Sequence, residues 1–355
     1  MASVVKFLWG VLGFGIGALF IYLSVSSMDW HDLRTAFGQA QFGWALAGFP
    51  LIAAAFLIRL ERWWLMLTAI GSKATRREIA APFFGGFALN NILPFRMGDV
   101  ARAAAFTKRL DVSASGATAS LLVERVFDLY ALLMLGFLAL LAMSGVLTAL
   151  PEAGGIAAIS GLVALLCVLT AVLTIPKTLG RLYLLVLKTP IGKIVPRALT
   201  RFGLRTLINI SHIVQRKGSL RLIAYSLVAW AVEGCVLFVC VKALGISPEA
   251  AGSWLAIVLG NLGTLLPGTP GHFGTFHYFA AQGLTFAGAE FGVAFLAVTL
   301  AHFIIWSSTT VVGLVLLVSI GGLKGPFRND RTKIATDTPP SGGSGLAFIA
   351  APLKP

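Results

Sequence analysis

Long apolar runs with almost no charge recur along the whole chain and limit what it can fold into. Each of six runs is close to or above the roughly 20 residues that a membrane-spanning helix needs. Residues are 57% hydrophobic and 12% charged, and the mean hydropathy is +0.87. Because barrel-like two-residue alternation is absent, the pattern predicts an all-α polytopic membrane protein. The six predicted full transmembrane helices are 4–24, 43–68, 114–144, 155–175, 221–244 and 289–320.

Two further apolar runs are short, rich in glycine and broken by proline. The breaks fall at Pro94 and Pro267, and a second short segment follows each. Irregular backbone at membrane depth is tolerated only inside protein or beside a watery cavity. We therefore predict two re-entrant helical hairpins, over about 79–108 and about 250–286.

The basic residues indicate an orientation. If neither hairpin crosses the membrane, 23 of the 28 Lys and Arg lie on the side of both termini, and only Arg34 and Lys242 lie opposite. Such a bias marks the cytoplasmic side, so both termini are predicted to be cytoplasmic. The net charge of +14 then reflects membrane orientation, and no nucleic-acid partner is expected. The first run lacks a clear cleavage site and is interpreted as the first membrane helix.

The segment 176–221 holds ten Lys/Arg and no acid, interleaved with apolar residues. A basic amphipathic region on an anionic membrane surface and an ordinary cytoplasmic loop both fit this pattern. The last segment, 322–355, contains TPPSGGSG and no helical period, and is predicted to be a flexible cytoplasmic tail.

The order of segments repeats. Two spans, a hairpin and a third span make up 1–144, and the same order makes up 145–321, with the hairpin entering from the other side. Pro94-x-x-x-Gly98 would correspond to Pro267-x-x-x-Gly271. Paired interrupted segments in the two halves of an inverted repeat point to a transport site.

Charged residues inside the spans are costly and usually functional. Glu124 and Asp128 share one helix face, with Arg125 turned away from them, while Glu233 and His302 lie mid-span. Two interpretations remain open: salt bridges that lock the bundle, and a polar cavity for a lipid headgroup. In the second, protonation of Glu233 or Asp128 would couple transport to a proton gradient.

Arg59 and Arg62 lie near the cytoplasmic end of the second span and precede Trp63 and Trp64. Their side chains are long enough to reach the membrane surface, which would make them interfacial anchors. A role in binding is the alternative.

The first hairpin tip offers groups suited to an anion. A short helix is predicted after Pro94, and its N-terminus, with Arg96 and Arg102, suits a phosphate or carboxylate. Asn90 and Asn91 would bind a headgroup or tie off the broken helix.

The second tip holds Gly268, Gly271 and Gly274, which would let backbone approach a ligand or make a tight turn. His272 and His277 are five apart, off the spacing of a helical zinc pair, and the three cysteines lie in apolar helices. No metal and no cofactor is predicted. Neither a P-loop nor a nucleophile elbow occurs, so we expect neither an ATPase nor an enzyme.

Three ordered motifs resemble one known family. They are Asn91-x-x-Pro94-x-Arg96-x-Gly98-Asp99-x-x-Arg102, then Glu124-Arg125-x-x-Asp128, then Leu266-Pro267-Gly268-Thr269-Pro270-Gly271-x-x-Gly274-Thr275. Over about 5–320 the chain resembles the lysylphosphatidylglycerol synthase transmembrane-region family. The resemblance implies a multi-spanning protein of the inner membrane of a bacterium or archaeon that moves lipids between leaflets.

Two departures from the family pattern bear on function. His277 stands where members often have an acid, and no soluble synthase domain follows the last span, so a stand-alone member is expected. We expect a lipid translocase for a phospholipid, aminoacyl-lipid, glycolipid or polyprenyl-linked lipid. The alternatives are an integral-membrane transferase in glycolipid or hopanoid metabolism and a non-transporting partner of a separately encoded lipid synthase. A homo-oligomer is a further expectation left open.

Within that prediction Arg96, Arg102 and Arg125 would hold phosphate, while Glu124, Asp128 and Glu233 would balance them or meet a cationic headgroup. The predicted substrate-binding residues are Asn90, Asn91, Arg96, Asp99, Arg102, Glu124, Arg125, Asp128, Glu233, Thr269, Thr275, His277 and His302.

Overall fold

The protein is all-helical over the residues that the structure describes. The computed structural model describes residues 2–143, 185, 189, 196–214 and 216–320. The helices are α1 (Ala2–Ser26), α2 (Trp30–Gly38), α3 (Phe42–Leu46), α4 (Gly48–Ala69), α5 (Arg76–Ile92), α6 (Met97–Val100), α7 (Thr107–Leu110), α8 (Ala114–Ala142), α9 (Arg197–Ile213), α10 (Arg216–Ala243), α11 (Gly252–Gly263), α12 (Thr275–Phe286) and α13 (Phe291–Ser319).

Four helical stretches are long and apolar enough to cross a membrane: Phe42–Ala69, Ala114–Ala142, Gly218–Ala243 and Phe291–Ser319. The pair Val11–Ser26 and Trp30–Gly38, bent by 86°, would make a fifth if it is one span. Many large apolar side chains on these helices are exposed, including Leu57, Leu138 and Val318. Exposed apolar surface of this kind suits contact with lipid tails.

Several predictions lie wholly or partly outside the described residues. They are the fourth span at 155–175, the boundary of the two halves at 144/145, most of the basic region 176–221, and the tail at 322–355. Most of the described part of the basic region is α9, which packs against α8, and the region ends in the first turns of α10. Its arginines at 197, 201 and 205 are exposed or half-buried, as a surface-lying amphipathic helix requires.

The first broken segment folds into an antiparallel helical hairpin. Arg109 Nε donates to the Glu78 carbonyl oxygen over 3.0 Å, and Asn90 Nδ2 donates to Asp99 Oδ1 over 3.0 Å. The chain therefore goes out along α5 and returns through α6 and α7. A Cβ on Gly98 would collide with the Gly86 carbonyl oxygen, so these two arms touch backbone to backbone.

The start of α5 is set by a capping box. The Glu78 carboxylate accepts from the Thr75 N–H over 2.7 Å, while the Thr75 hydroxyl accepts from the Glu78 N–H over 3.4 Å. These two bonds satisfy otherwise free N–H groups at the helix start. Hydrogen bonds from Thr75 also hold the pKa of the Glu78 carboxyl below its usual range.

The second broken segment is also an antiparallel hairpin, made of α11 and α12. A Cβ on Gly252 would meet Ala287, and one on Gly283 would meet Ala256. Small residues thus let the two arms pack closely over their whole length. Where the two hairpins sit relative to a bilayer stays a prediction, because the fold alone does not define the membrane plane.

The two hairpin tips share a backbone turn, but the turn follows Pro270 in the second tip and not Pro267, the proline matched to Pro94 in the sequence analysis. After Pro94, Phe95 and Arg96 have positive φ values of 60° and 51°. After Pro270, Gly271 and His272 have φ values of 69° and 58°. In backbone conformation the two residues after Pro94 therefore resemble the two after Pro270 and not the two after Pro267, although Gly274 has a φ of 93° and Gly98 lies within α6.

Both hairpins pack against α13. α5 lies against one part of α13, α12 lies against another, and the turns Pro94–Arg96 and Pro270–His272 contact each other. α4 and α10 also pack together, and both contact α13. The two tips are therefore held side by side by a single helix, inside the frame made by the long helices.

Candidate functional site

Most intramembrane charges predicted from the sequence form ion pairs with one another. Four arginines meet four carboxylates, and each pair joins two different elements. The pairs are Arg59–Glu233 at 2.6 Å, Arg62–Asp128 at 2.5 Å, Arg102–Glu124 at 2.9 Å and Arg125–Asp99 at 2.6 Å.

The Arg62–Asp128 pair ties three helices together. Arg62 on α4 donates to both oxygens of Asp128 on α8, over 2.5 and 3.2 Å. From α10, Ser226 accepts a further bond from Arg62 and the Trp230 indole donates to Asp128 over 3.0 Å. All the donors and acceptors of this cluster lie on α4, α8 and α10, so the cluster links these three helices.

The Arg102–Glu124 pair is equally enclosed. Arg102 lies in a π-helical turn, Ala101–Ala105, between α6 and α7. Its guanidinium donates to both oxygens of Glu124, over 2.9 and 3.2 Å, and lies 4.1 Å from the centre of the Trp63 ring. Only 1% of Arg102 is exposed. Both terminal nitrogens of Arg102 are engaged by Glu124, while its Nε has no hydrogen-bond partner among the described residues, and the phosphate contact expected for Arg102 stays a prediction.

Arg59 and Arg62 do not reach the membrane surface as interfacial anchors would. They are 4% and 1% exposed. Arg59 pairs with Glu233 and lies 4.5 Å from the centre of the Trp230 ring. The interfacial interpretation is therefore wrong, and for these pairs the structure favours the interpretation in which salt bridges lock the bundle.

Arg125 and Arg96, beside the first tip, are placed differently. Arg125 pairs with Asp99, yet 39% of its side chain is exposed. Arg96 is half-buried, and within the described part of the chain it makes no ion pair and no hydrogen bond. Its position is fixed by the left-handed backbone of the turn. At the first tip these two arginines remain available for an anion.

Asn90 and Asn91 serve the hairpin itself. Asn90 donates to Asp99, and its amide oxygen accepts from the Asp99 N–H over 3.1 Å. Asn91 donates to Thr309 and Thr310 on α13 over 3.0 and 2.9 Å. Of the two roles considered for these asparagines, the structure shows the one that ties off the broken helix.

The second tip holds three buried polar atoms that have no hydrogen-bond partner among the described residues: His272 Nδ1, Thr275 Oγ1 and Trp306 Nε1. A Cβ on Gly271 would lie 3.1 Å from Trp306 Nε1, and one on Gly268 would lie 3.4 Å from Thr275 Oγ1. A side chain at either glycine would therefore crowd one of these atoms. Buried polar atoms are normally satisfied, so orphaned ones call for a ligand or water.

These atoms and the two arginines belong to one neighbourhood. The tip turns touch, and His272 interacts electrostatically with both Arg96 and Arg125. We call Arg96, Arg125, His272, Thr275 and Trp306 the tip cluster. Its indole and guanidinium groups are donors only, its hydroxyl and imidazole can also donate, and it carries excess positive charge. Such a set suits a polar ligand with acceptor oxygens, above all an anion.

His277 and His302 form a separate pair beside the tip cluster. His302 Nδ1 lies 3.1 Å from His277 Nε2, and Gly274 N–H donates to His277 Nδ1 over 3.4 Å. Rings of Phe273, Phe276 and Phe295 surround the pair. No group of three His, Cys, Asp or Glu that could hold a metal occurs in the described ranges.

The remaining predicted residue, Thr269, donates to the Phe273 carbonyl oxygen over 2.9 Å and so helps to shape the second tip. Sequence reasoning missed Trp306 and gave His272 no role. The signal for Trp306 was its place at the start of WSSTT, a polar run over 306–310 within an apolar span.

Comparison with known proteins places the chain in a family. No curated protein matches it significantly. The sequence model described as "Lysylphosphatidylglycerol synthase TM region" matches residues 10–313. With its four long apolar helices, the chain is a multi-pass membrane protein. The match covers most of the chain, and the chain therefore belongs to the lysylphosphatidylglycerol synthase transmembrane-region family.

Proposed function

We propose that this chain is a lipid translocase, without ATPase or other enzymatic activity, that moves a polar-headgroup lipid between leaflets. The family is a membrane domain associated with lipid translocation. The observation that carries the proposal is the tip cluster, where two cations and three orphaned polar atoms meet between two broken helices. Headgroups of phospholipids, aminoacyl-lipids, glycolipids and polyprenyl-linked lipids all present acceptor oxygens to such a site.

The proposal includes a topology. The chain has six full spans and two re-entrant hairpins, arranged as an inverted repeat with both termini in the cytoplasm. The 23 Lys and Arg on one side support this orientation, and the antiparallel arms of both hairpins suit segments that return to the side they entered. The protein then lies in the cytoplasmic membrane of its cell.

The ion pairs have a distinct role in this scheme. Arg62–Asp128 and Arg102–Glu124 hold the frame, because their charges are enclosed and paired with each other. The headgroup enters at the tips instead, where Arg96 has no counter-ion in the described chain and Arg125 is partly open. The acyl tails stay in lipid beside the exposed apolar faces of the helices.

The expected partner of the protein is a lipid synthase. The transported lipid is made elsewhere, so a separately encoded lipid synthase supplies it. A transferase would make product in detergent without any membrane asymmetry. Incubating the purified protein with lipid acceptor and donor, and finding no new lipid by mass spectrometry, separates the translocase from that alternative.

The test is leaflet exchange in proteoliposomes. Fluorescent phosphatidylglycerol is placed in both leaflets, and bleaching of the outer leaflet reports how fast the inner pool becomes accessible. We expect movement with the unmodified protein, and movement slowed about tenfold in Arg96→Gln, which removes one charge-assisted contact. Arg34→Gln on the exposed α2 removes the same charge away from the tips and is the matched control.

If lipid moves equally fast in Arg96→Gln and in Arg34→Gln, the tip cluster has no role in lipid movement. Absence of movement for phosphatidylglycerol, an aminoacylated phosphatidylglycerol, a glycolipid and a polyprenyl phosphate would overturn the translocase proposal itself.

A further inference from the structure

A translocase without an ATPase draws on an ion gradient or on the lipid gradient itself. The sequence pointed to Glu233 and Asp128 as proton-coupling groups, but both are held by arginines inside the bundle. Protonating either carboxylate would leave a buried guanidinium charge without its partner, which is strongly unfavourable. These two carboxylates are therefore poor proton carriers.

The His277–His302 pair is different, because no acid or base of opposite charge is bonded to either ring in the described chain. The hydrogen bonds define the proton positions. His277 Nδ1 accepts from Gly274 N–H, so His277 Nε2 carries the ring proton and donates to His302 Nδ1. Both rings are then neutral, and His302 carries its own proton on Nε2.

The neighbouring elements add little charge around this pair. α11 has no ionisable side chain, and Arg59, Glu233, Arg62 and Asp128 of α4, α8 and α10 are consumed in pairs. Outside the pair, His272 is the titratable group that interacts electrostatically with His302, and His272 in turn interacts with Arg96 and Arg125. Other ionisable side chains on helices packed against α12, α13 or the tip include half-buried ones, Glu61, Tyr225 and Tyr278, and exposed or helix-capping ones: Tyr22, His31, Asp32, Arg34, Arg76, Arg77, Glu78, Arg221, Lys242 and Glu290.

We infer that the His277–His302 pair is the proton-binding site of this protein, coupled to occupation of the tip cluster by an anionic headgroup. The inference rests on the proposed function. A hydronium ion transfers its proton to a lone pair on an imidazole nitrogen: one O–H bond of the hydronium breaks, one N–H bond forms, and a water molecule is released. Both available lone pairs, His277 Nδ1 and His302 Nδ1, already accept a hydrogen bond, so the proton breaks one of them.

Either break loosens the second tip. Loss of the His277–His302 bond removes a hydrogen bond between α12 and α13, and loss of the Gly274–His277 bond removes the side-chain cap from the first turn of α12. Gly274 also packs directly on the backbone of α1 at Gly17, so the turn cannot shift without moving that contact. Proton binding thus acts on the segment that carries Thr275 and His272.

Coupling to the headgroup follows from charge and position. Thr275 and His277 are two residues apart on the first turn of α12. An anion beside Arg96 and His272 lowers the cost of a new positive charge at the pair, and a bound proton in turn strengthens binding of the anion. The two effects are equal by thermodynamic linkage.

The test measures protons directly and does not depend on transport. Short-chain phosphatidylglycerol is added to the purified protein in weakly buffered detergent containing a pH indicator, and binding is followed in parallel by calorimetry. We expect uptake of about one proton per bound lipid, since one pair holds one proton. His277→Gln and His302→Gln should bind lipid without uptake, and His31→Gln on the exposed α2 should behave as the unmodified protein.

The outcomes separate the two proposals. Lipid binding with no proton uptake, or with uptake that both histidine variants retain, overturns the coupling and leaves the translocase proposal intact. Absence of phosphatidylglycerol binding overturns the anionic tip site and the coupling together. In proteoliposomes, an imposed pH gradient should change the rate of lipid movement several-fold with the unmodified protein. The rate with His302→Gln should not change.

Discussion

Arg62 and Asp128, which are 66 residues apart in sequence, meet inside the bundle through two hydrogen bonds of 2.5 and 3.2 Å. Removing one partner leaves the other charge buried. We expect Asp128→Asn to lower the free energy of unfolding by about 3–5 kcal/mol, measured by denaturation in nanodiscs. Arg62→Met with Asp128→Leu should recover most of that loss.

The control for this prediction is the Arg76–Glu61 pair, in which the Arg76 side chain is 54% exposed. Glu61→Gln should cost no more than about 1 kcal/mol, because exposed pairs contribute little. Equal losses from Asp128→Asn and Glu61→Gln would show that burial does not decide the strength of these pairs.

Arg102→Lys tests whether the shape of the guanidinium matters. Lysine keeps the charge but cannot bond both oxygens of Glu124 while stacking on Trp63. We expect a loss of about 2 kcal/mol in unfolding free energy, in the range of one charge-assisted hydrogen bond. Thermal unfolding in detergent measures it, and stability equal to that of the unmodified protein would contradict the stacked, two-point geometry.

Gly98→Ala tests the contact between the arms of the first hairpin. Its Cβ would collide with the Gly86 carbonyl oxygen, which cannot swing aside as a flexible side chain would. We expect a loss of more than about 3 kcal/mol, beyond ordinary overpacking, seen as poor folded yield. Gly15→Ala on α1 meets no atom within 4 Å and should stabilise the helix by up to about 1 kcal/mol.

Thr275→Val separates function from stability at the tip cluster. The Thr275 hydroxyl is buried without a partner, and valine has nearly the same shape without that polar atom. Removing an unsatisfied group should raise the free energy of unfolding by about 1 kcal/mol. Lipid movement should fall several-fold at the same time, because a headgroup contact is lost. A variant that is stabilised and transports at full rate would exclude Thr275 from the site.

Sequence predicted the helices well and their side-chain partners poorly. The expected third span at 114–144 corresponds to Ala114–Ala142, and the expected breaks at Pro94 and Pro267 fall between helices. Apolar length and proline act locally, so they can be read from the sequence. Partnerships such as Arg59 with Glu233 depend on which helices pack together, and no spacing along one chain encodes that.

The register of the two tips shows a second kind of limit. By composition, Pro267-Gly268 and Pro270-Gly271 are equally good candidates for the counterpart of the turn after Pro94. Only the backbone distinguishes them, because two successive left-handed residues follow Pro270 as they follow Pro94. Arg96 and His272 occupy equivalent places in that turn, although their side chains share no sequence pattern.

The equivalent positions of Arg96 and His272 make the two tips chemically different. In an inverted repeat with chemically identical tips, a headgroup would meet the same site from either leaflet and neither direction would be preferred. The shared turn instead holds a permanently charged arginine at residue 96 and a histidine, whose charge can change, at residue 272. If the halves are inverted as the basic residues predict, the two leaflets face unlike chemistry, so only the encounter of a headgroup with the side of residue 272 would depend on pH.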